Sequence, residues 1–313
     1  MAIRELRLMN INSMRLFLHR NMRLLNQIRT TYKPFFHQDD LKFILRVKFL
    51  IIFFICIQLE KSIAQSNNFC GIKNTSSQSG ERLQYKVYYT LAGAYIGAGE
   101  ATFSNHLETY QGRAAYHVMG AGKSFKSYDW FYKVNDVYES YIDTSTMLPI
   151  KFVRDVNERN TRIYNSVIFN HAAKKAVSTN GVFKIPSCVQ DVLSAIYYAR
   201  NINFSVYQPG DKIPFSIFLD DQVFDIFVRY IGKEKLVTKY GTYQTIKFKP
   251  LLIEGTIFKG GENMTVWVTD DENKIPVLVE TPILIGSIKV YLTEYKNIRN
   301  KAAAILYHLK PKT

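Results

Sequence analysis

The chain has 313 residues, 47% of them hydrophobic and 14% aromatic, with 41 Lys or Arg against 26 Asp or Glu and a formal charge of +15. Residues 1–64 supply +7 of that charge, which leaves 249 residues at +8 with no dense basic cluster. This balance does not point to nucleic acid; a soluble surface that happens to be basic is the favoured reading, attraction to an anionic membrane surface or polysaccharide the alternative, and the length suits one large β domain or two small ones.

Residues 47–64 have the form of a secretory signal: basic Arg46 and Lys48, an apolar run from Phe49 to Leu59, then small Ser62 and Ala64. The run falls short of the roughly 20 apolar residues a transmembrane helix needs. The sequence therefore predicts an exported protein of the periplasm or cell envelope whose mature chain starts near Gln65, with membrane contact at most peripheral. The alternative is an N-terminal anchor retained in the inner membrane. The basic leader upstream carries Met9, Met14 and Met22, each of which could start the chain. Residues 1–64 are then leader and signal, and residues 65–79 a linker. Cys70 and Cys188 are the only cysteines after Ala64, and an even pair in an oxidising compartment predicts a disulfide closing a loop of about 119 residues. A reactive thiol at Cys188, in the first turn of a helix, is the alternative.

From Arg82 onward Tyr, Phe, Val, Ile and Thr run in short stretches cut by Gly, Asn and Asp, which predicts antiparallel strands. Arg82–Thr90 and Tyr95–Ser104 form a first hairpin, with Gly97 and Gly99 marking a bend. Strands follow at 114–120, 131–142, 150–157 and 162–169. Asn180-Gly181 predicts a two-residue type I′ hairpin turn. Ser187-Cys188-Val189-Gln190 has capping-box spacing, and Val189, Val192, Leu193 and Ile196 share one helical face, which predicts a helix over Ser187–Arg200. Strands resume at 214–219, 222–230, 235–240, 243–252, 263–269, 275–280 and 287–295, followed by a C-terminal tail over residues 299–313. The fold class is mainly β: an antiparallel, strongly curved sheet or partly open β-barrel with one packed helix.

A family resemblance rests on particular residues. Gly80-Glu81-Arg82-Leu83 opens the domain, Gly97-Ala98-Gly99-Glu100-Ala101 follows, and Tyr138 to Ser140 with Asp143 to Pro149 comes next. Gln190-Asp191-Val192-Leu193-Ser194-Ala195 and Trp267 to Pro276 complete the set. On these the stretch 80–298 resembles DUF3108, a family of exported proteins of unknown function. The resemblance implies an exported β-rich domain and no catalytic residues to carry over.

No catalytic constellation emerges from the residues. Residues 117–124, His-Val-Met-Gly-Ala-Gly-Lys-Ser, end like a phosphate loop, but His117 replaces its first glycine and no amphipathic helix follows. His106, His117, His171 and His308 lack metal-like spacing, so no metal and no cofactor is expected. No Gly-x-Ser-x-Gly supports a serine nucleophile, and Asp270-Asp271-Glu272 fits a turn. Tyr128 to Tyr132 is the densest aromatic stretch, with Trp130 and Phe131 as candidates for binding a glycan or lipid and strand core as the ordinary explanation. Leu193 is the third candidate, on the helix face that would line an apolar cavity. Binding or scaffolding is thus expected, with a carrier of lipid or another hydrophobic ligand as the leading form. A glycan or ester hydrolase and a structural subunit of an envelope complex are the alternatives. Two facing carboxyls about 5–10 Å apart in a cleft would favour a glycosidase.

Overall fold

The computed structural model describes residues 71–309 apart from residues 93, 160, 254–259 and 284, with Phe131 described by its backbone alone. The leader, the apolar run and Cys70 lie outside the described residues. Two meanders make up the structure. The first runs through β1 (Arg82–Leu91), β2 (Ala94–Tyr110), β3 (Arg113–Ser124), β4 (Asn135–Asp143), β5 (Pro149–Glu158), β6 (Thr161–Asn170), β7 (Lys175–Ser178) and β8 (Gly181–Lys184). The second runs through β9 (Lys212–Leu219), β10 (Gln222–Thr238), β11 (Gly241–Pro250), β12 (Thr265–Thr269), β13 (Pro276–Pro282) and β14 (Ser287–Lys296). Each strand pairs antiparallel with its successor, and one further ladder, β1 on β14 with Arg82 opposite Lys296, joins the two meanders into a single sheet. A helical turn, α1 (Asp129–Tyr132), interrupts the first meander, and α2 (Val192–Ala199) links it to the second.

The sheet is open, ending in β8 and β9, yet its two ends approach each other. Phe218 of β9 lies 5.8 Å from Phe183 of β8 and 6.0 Å from Phe169 of β6. Asn180 Nδ2 donates to Asp221 Oδ2 at 2.6 Å, and Arg154 pairs with Asp220. Gln190 occupies part of the free edge of β9: its amide donates to the Ser216 carbonyl at 2.9 Å and its carbonyl accepts from Phe218 at 2.8 Å. A curved sheet closed by side chains rather than by a ladder is the partly open barrel that the sequence predicts.

Bending is local to a few residues. In β2 the partners of Val87 and Tyr88 are Gly99 and Gly97, so Ala98 is skipped. A Cβ on Gly99 would stand 2.4 Å from the Lys123 carbonyl oxygen, so glycine is what lets β2 lie against β3 there. Gly232 marks a second bulge, and this makes Gln222–Thr238 one bent strand where the sequence predicts two. The β7–β8 hairpin forms as expected, but Ser178 pairs with Gly181, so Thr179-Asn180 makes the turn. Two-residue turns with positive φ at both positions occur instead at Gln111-Gly112, at 48° and 75°, and at Asp220-Asp221, at 49° and 61°.

The ordered unit extends past both expected boundaries. In the segment predicted as a linker, Thr75 N donates to Asn201 Oδ1 at 2.7 Å and Ser76 and Ser77 are buried. In the predicted tail, β15 (Ile305–His308) pairs with β11. His308 Nε2 donates to the Thr293 carbonyl at 3.0 Å, so its Nδ1 accepts from the Tyr243 hydroxyl at 2.7 Å.

Candidate ligand groove beside the helix

Asp191, not Ser187, caps the helix. Its carboxylate accepts from the Leu193 and Ser194 amides, both at 2.8 Å, while Ser194 Oγ accepts from the Asp191 amide at 2.9 Å. The helix is therefore eight residues long rather than the predicted Ser187–Arg200. Two physical reasons shorten it: a carboxylate three residues later offers a stronger cap, and the Gln190 backbone is committed to β9. Cys188 consequently sits in a turn at φ 66°, before the cap, and not in a first helical turn where the dipole would favour a thiolate.

Asp191 is also tied to the sheet. The Ser140 hydroxyl of β4 donates to Asp191 Oδ2 at 2.7 Å. Burial pushes this carboxyl up to about 6, against the opposing pull of its hydrogen-bond donors. At the other end of the helix Arg200 donates to Glu81 through Nη1 at 2.6 Å and Nη2 at 2.8 Å, and both side chains are buried. Arg200 also donates to the carbonyls of Asn273 at 3.0 Å and Ser76 at 3.1 Å. Both ends of α2 are thus fixed by buried charge.

The helix face differs from the predicted stripe. Leu193, Tyr197 and Tyr198 are buried in a cluster with Val189, Ile142 and Phe218, whereas Ile196 is 37% exposed. Between Val192, Leu193 and Ile196 of the helix and strands β2, β3 and β4 lies a groove of about 250 Å³. Its walls include Phe103, Gly120, Gly122, Tyr138, Leu193 and Ile196. The glycines create the space: a Cβ on Gly120 would meet Phe103 at 3.2 Å and Leu193 at 3.5 Å, and one on Gly122 would meet nothing within 4 Å.

Asp136 is the single carboxylate in the lining. Burial pushes it up to about 6, the Asn157 amide donating at 2.9 Å opposes this, and neighbouring Glu158 adds to the rise. Glu158 in turn accepts from the Tyr132 hydroxyl at 2.6 Å. The two carboxyls are hydrogen-bonded neighbours, not groups opposed across a cleft, and the groove lacks the geometry of a glycosidase pair.

Of the candidates from the sequence, Leu193 lines the groove, together with Val192 and Ile196 of its predicted helix face. Trp130 is 84% exposed on α1, and residues 129–132 form a helical turn rather than the predicted strand core. Tyr128-Asp129 bends the chain there, with the Asp129 amide donating to the Phe125 carbonyl at 3.1 Å. Residues 117–124 are ordinary β3 strand, and His117 lies stacked on Tyr141 with Nε2 2.8 Å from Glu139. Asp271 caps its own turn, accepting from Thr269 Oγ1 at 2.8 Å and the Asn273 amide at 3.0 Å. Among the described residues no group of His, Cys, Asp or Glu is placed to hold a metal ion, and no helix is long and apolar enough to cross a membrane. Sequence reasoning passed over Phe103 and Asp136, and met Gly120 and Gly122 only in the phosphate-loop-like run and Tyr138 only as a residue of the resemblance; alternation marks Phe103 and Tyr138 as facing one side of the sheet, but not as facing a helix.

Of the residues holding α2, Glu81, Ser140, Asp191, Ser194 and Asn273 belong to the resemblance, while Arg200 and Ser76 lie outside it. A family model described as protein of unknown function, DUF3108, matches residues 84–293, more than half of the chain. The chain belongs to DUF3108. No curated protein matches this DUF3108 chain. Among solved structures it is similar to a β-barrel-like DUF1849 protein from Brucella abortus, at 8% identity and a TM-score of 0.45, covering 70% of this chain and 97% of that one. It is also similar to a Bacteroides fragilis protein with a YmcC-like fold, at 12% identity and a TM-score of 0.30, covering 73% and 100%.

Proposed function

We propose that this DUF3108 protein is exported to the periplasm or cell envelope and binds a hydrophobic ligand in the groove beside α2, as a carrier rather than as an enzyme. The observation that supports the reading is the groove itself: apolar walls, a single carboxyl, and two glycines where side chains would fill it. Its volume of about 250 Å³ lies below the range of roughly 300–1,000 Å³ common for drug-sized ligands, which suits one acyl-like arm. Each methylene taken from water into such walls contributes about 0.8 kcal/mol. Export is supported by the apolar run and small residues before Gln65.

Gly122→Leu tests the groove, because a side chain there enters open space without displacing a neighbour. The variant keeps the β circular dichroism of the parent and loses saturable binding of a fluorescent hydrophobic probe such as phenylnaphthylamine. Equal probe affinity in parent and variant would place binding elsewhere and remove the basis of the carrier reading. Export is tested by N-terminal sequencing of protein taken from the envelope; a chain that still contains Phe49 to Leu59 sinks the cleaved, exported form.

A further inference from the structure

A second constellation lies apart from the groove residues. Tyr88 on β1, Tyr95 on β2 and Tyr291 on β14 stand on one face of three adjacent strands, and the β10–β11 turn brings Tyr240 and Lys239 over them. The four rings are fixed by two hydroxyl pairs, Tyr88 with Tyr240 at 2.6 Å and Tyr95 with Tyr291 at 2.7 Å. Lys239 Nζ lies 3.2 Å from the Tyr88 ring centre and 5.3, 5.4 and 5.4 Å from those of Tyr95, Tyr240 and Tyr291. One lysine over one ring is common in proteins; four rings converging on one ammonium is the arrangement that recognises methylated ammonium groups.

The cage and its occupant are built differently. The turn backbone is held by Thr238 Oγ1, which accepts from the Tyr240 and Gly241 amides, both at 3.1 Å, and by the Tyr240 carbonyl, which accepts from Leu309 at 2.8 Å. Lys239 itself is exposed, and its flexible stem lets the ammonium leave without moving that backbone. Tyr95 is 47% exposed and leaves the cage open on one side. The ammonium acts on its surroundings: burial raises the Tyr88 phenol, but the Tyr240 hydroxyl and Lys239 outweigh it and hold the phenol below its ordinary value. Lys239 hydrogen-bonds Tyr88 and Lys289 hydrogen-bonds Tyr95, so the hydroxyls already have partners and the ring faces, which attract a cation without needing N–H donors, are what the cage offers a ligand.

We propose that Tyr88, Tyr95, Tyr240 and Tyr291 form a binding cage for a quaternary ammonium group, in which Lys239 is the chain's own displaceable occupant. The test titrates tetramethylammonium and choline against the parent and Lys239→Ala, following tyrosine fluorescence, with the neutral isostere 3,3-dimethylbutanol as control. Lys239→Ala binds either cation at least ten-fold more tightly than the parent and does not bind the isostere. Lys239→Ala/Tyr95→Leu loses at least ten-fold of that gain. A folded Lys239→Ala that binds no cation, or a Tyr95→Leu double variant that binds as well, overturns the proposal. Phosphatidylcholine vesicles separate the sources: tighter binding than to free choline assigns a lipid head group, equal or weaker binding assigns a free amine, and no binding in either arm again overturns it.

Discussion

Removing the Arg200 side chain tests how α2 is anchored. Arg200→Met leaves Glu81, which has no solvent contact, without either of its two donors, and strips the Ser76 and Asn273 carbonyls of theirs. Breaking one side of a buried ion pair costs about 3–5 kcal/mol, and each carbonyl left bare adds about 1–3 kcal/mol. The variant should therefore lose at least about 5 kcal/mol, on the scale of a whole domain's stability of roughly 5–15 kcal/mol. Glu81→Leu alone strands the guanidinium and should cost about 3–5 kcal/mol as well. The informative molecule is the double variant, Arg200→Met/Glu81→Leu, in which neither charge remains. It should be more stable than Arg200→Met by about 3 kcal/mol, because the stranded carboxylate is gone. Urea unfolding followed by circular dichroism measures all three. If the losses of the two single variants simply add in the double, the pair is not a unit and the argument fails.

Asp191→Asn keeps a good helix cap but cannot titrate. Burial holds the folded-state Asp191 carboxyl at about 6, above its ordinary 3.8, so the stabilisation from its bound proton is complete below about pH 4 and lost as pH rises through 6. Relative to Asp191→Asn, the parent should lose roughly 3 kcal/mol between pH 4 and pH 7; unfolding curves with the same pH dependence for both proteins contradict this. A Cys70–Cys188 disulfide should appear as one cross-linked pair in non-reducing peptide maps of the native protein, and free alkylation of both thiols in the folded state rules it out.

Period-2 alternation and turn residues made most of the strands legible, because each hairpin is specified by a short, continuous stretch of chain. The break predicted between 222–230 and 235–240 contains Gly232, and a glycine that ends a strand and one that bulges it look alike until the partner strand is known. Ser187-x-x-Gln190 matched a capping box in form, yet Asp191-x-x-Ser194 is the box that forms, since the Gln190 backbone bonds to β9. That competition is tertiary and leaves no trace in the motif. The Arg200–Glu81 pair joins residues 119 positions apart, and no periodicity connects them. The groove escaped for a related reason: alternation says that Phe103 and Tyr138 share a side of the sheet, not that a helix stops short of filling the space above Gly120 and Gly122.

The ladder between β1 and β14 sets the order in which the molecule can assemble. Every other ladder among β1–β14 joins neighbours in sequence, so each hairpin can form as soon as its own residues are free, at the cost of a short loop. Arg82 and Lys296, by contrast, meet only when nearly the whole domain is available. The two meanders can therefore exist as separate early species, each with an unpaired edge strand, β1 in one and β14 in the other. Pairing of these edges closes by far the longest stretch of chain of any ladder, and until it occurs they are surfaces on which one copy of the chain can wrongly add to another. A chain cut after Arg200 would keep every rung from β1 to β8 and hold that vulnerable edge open indefinitely.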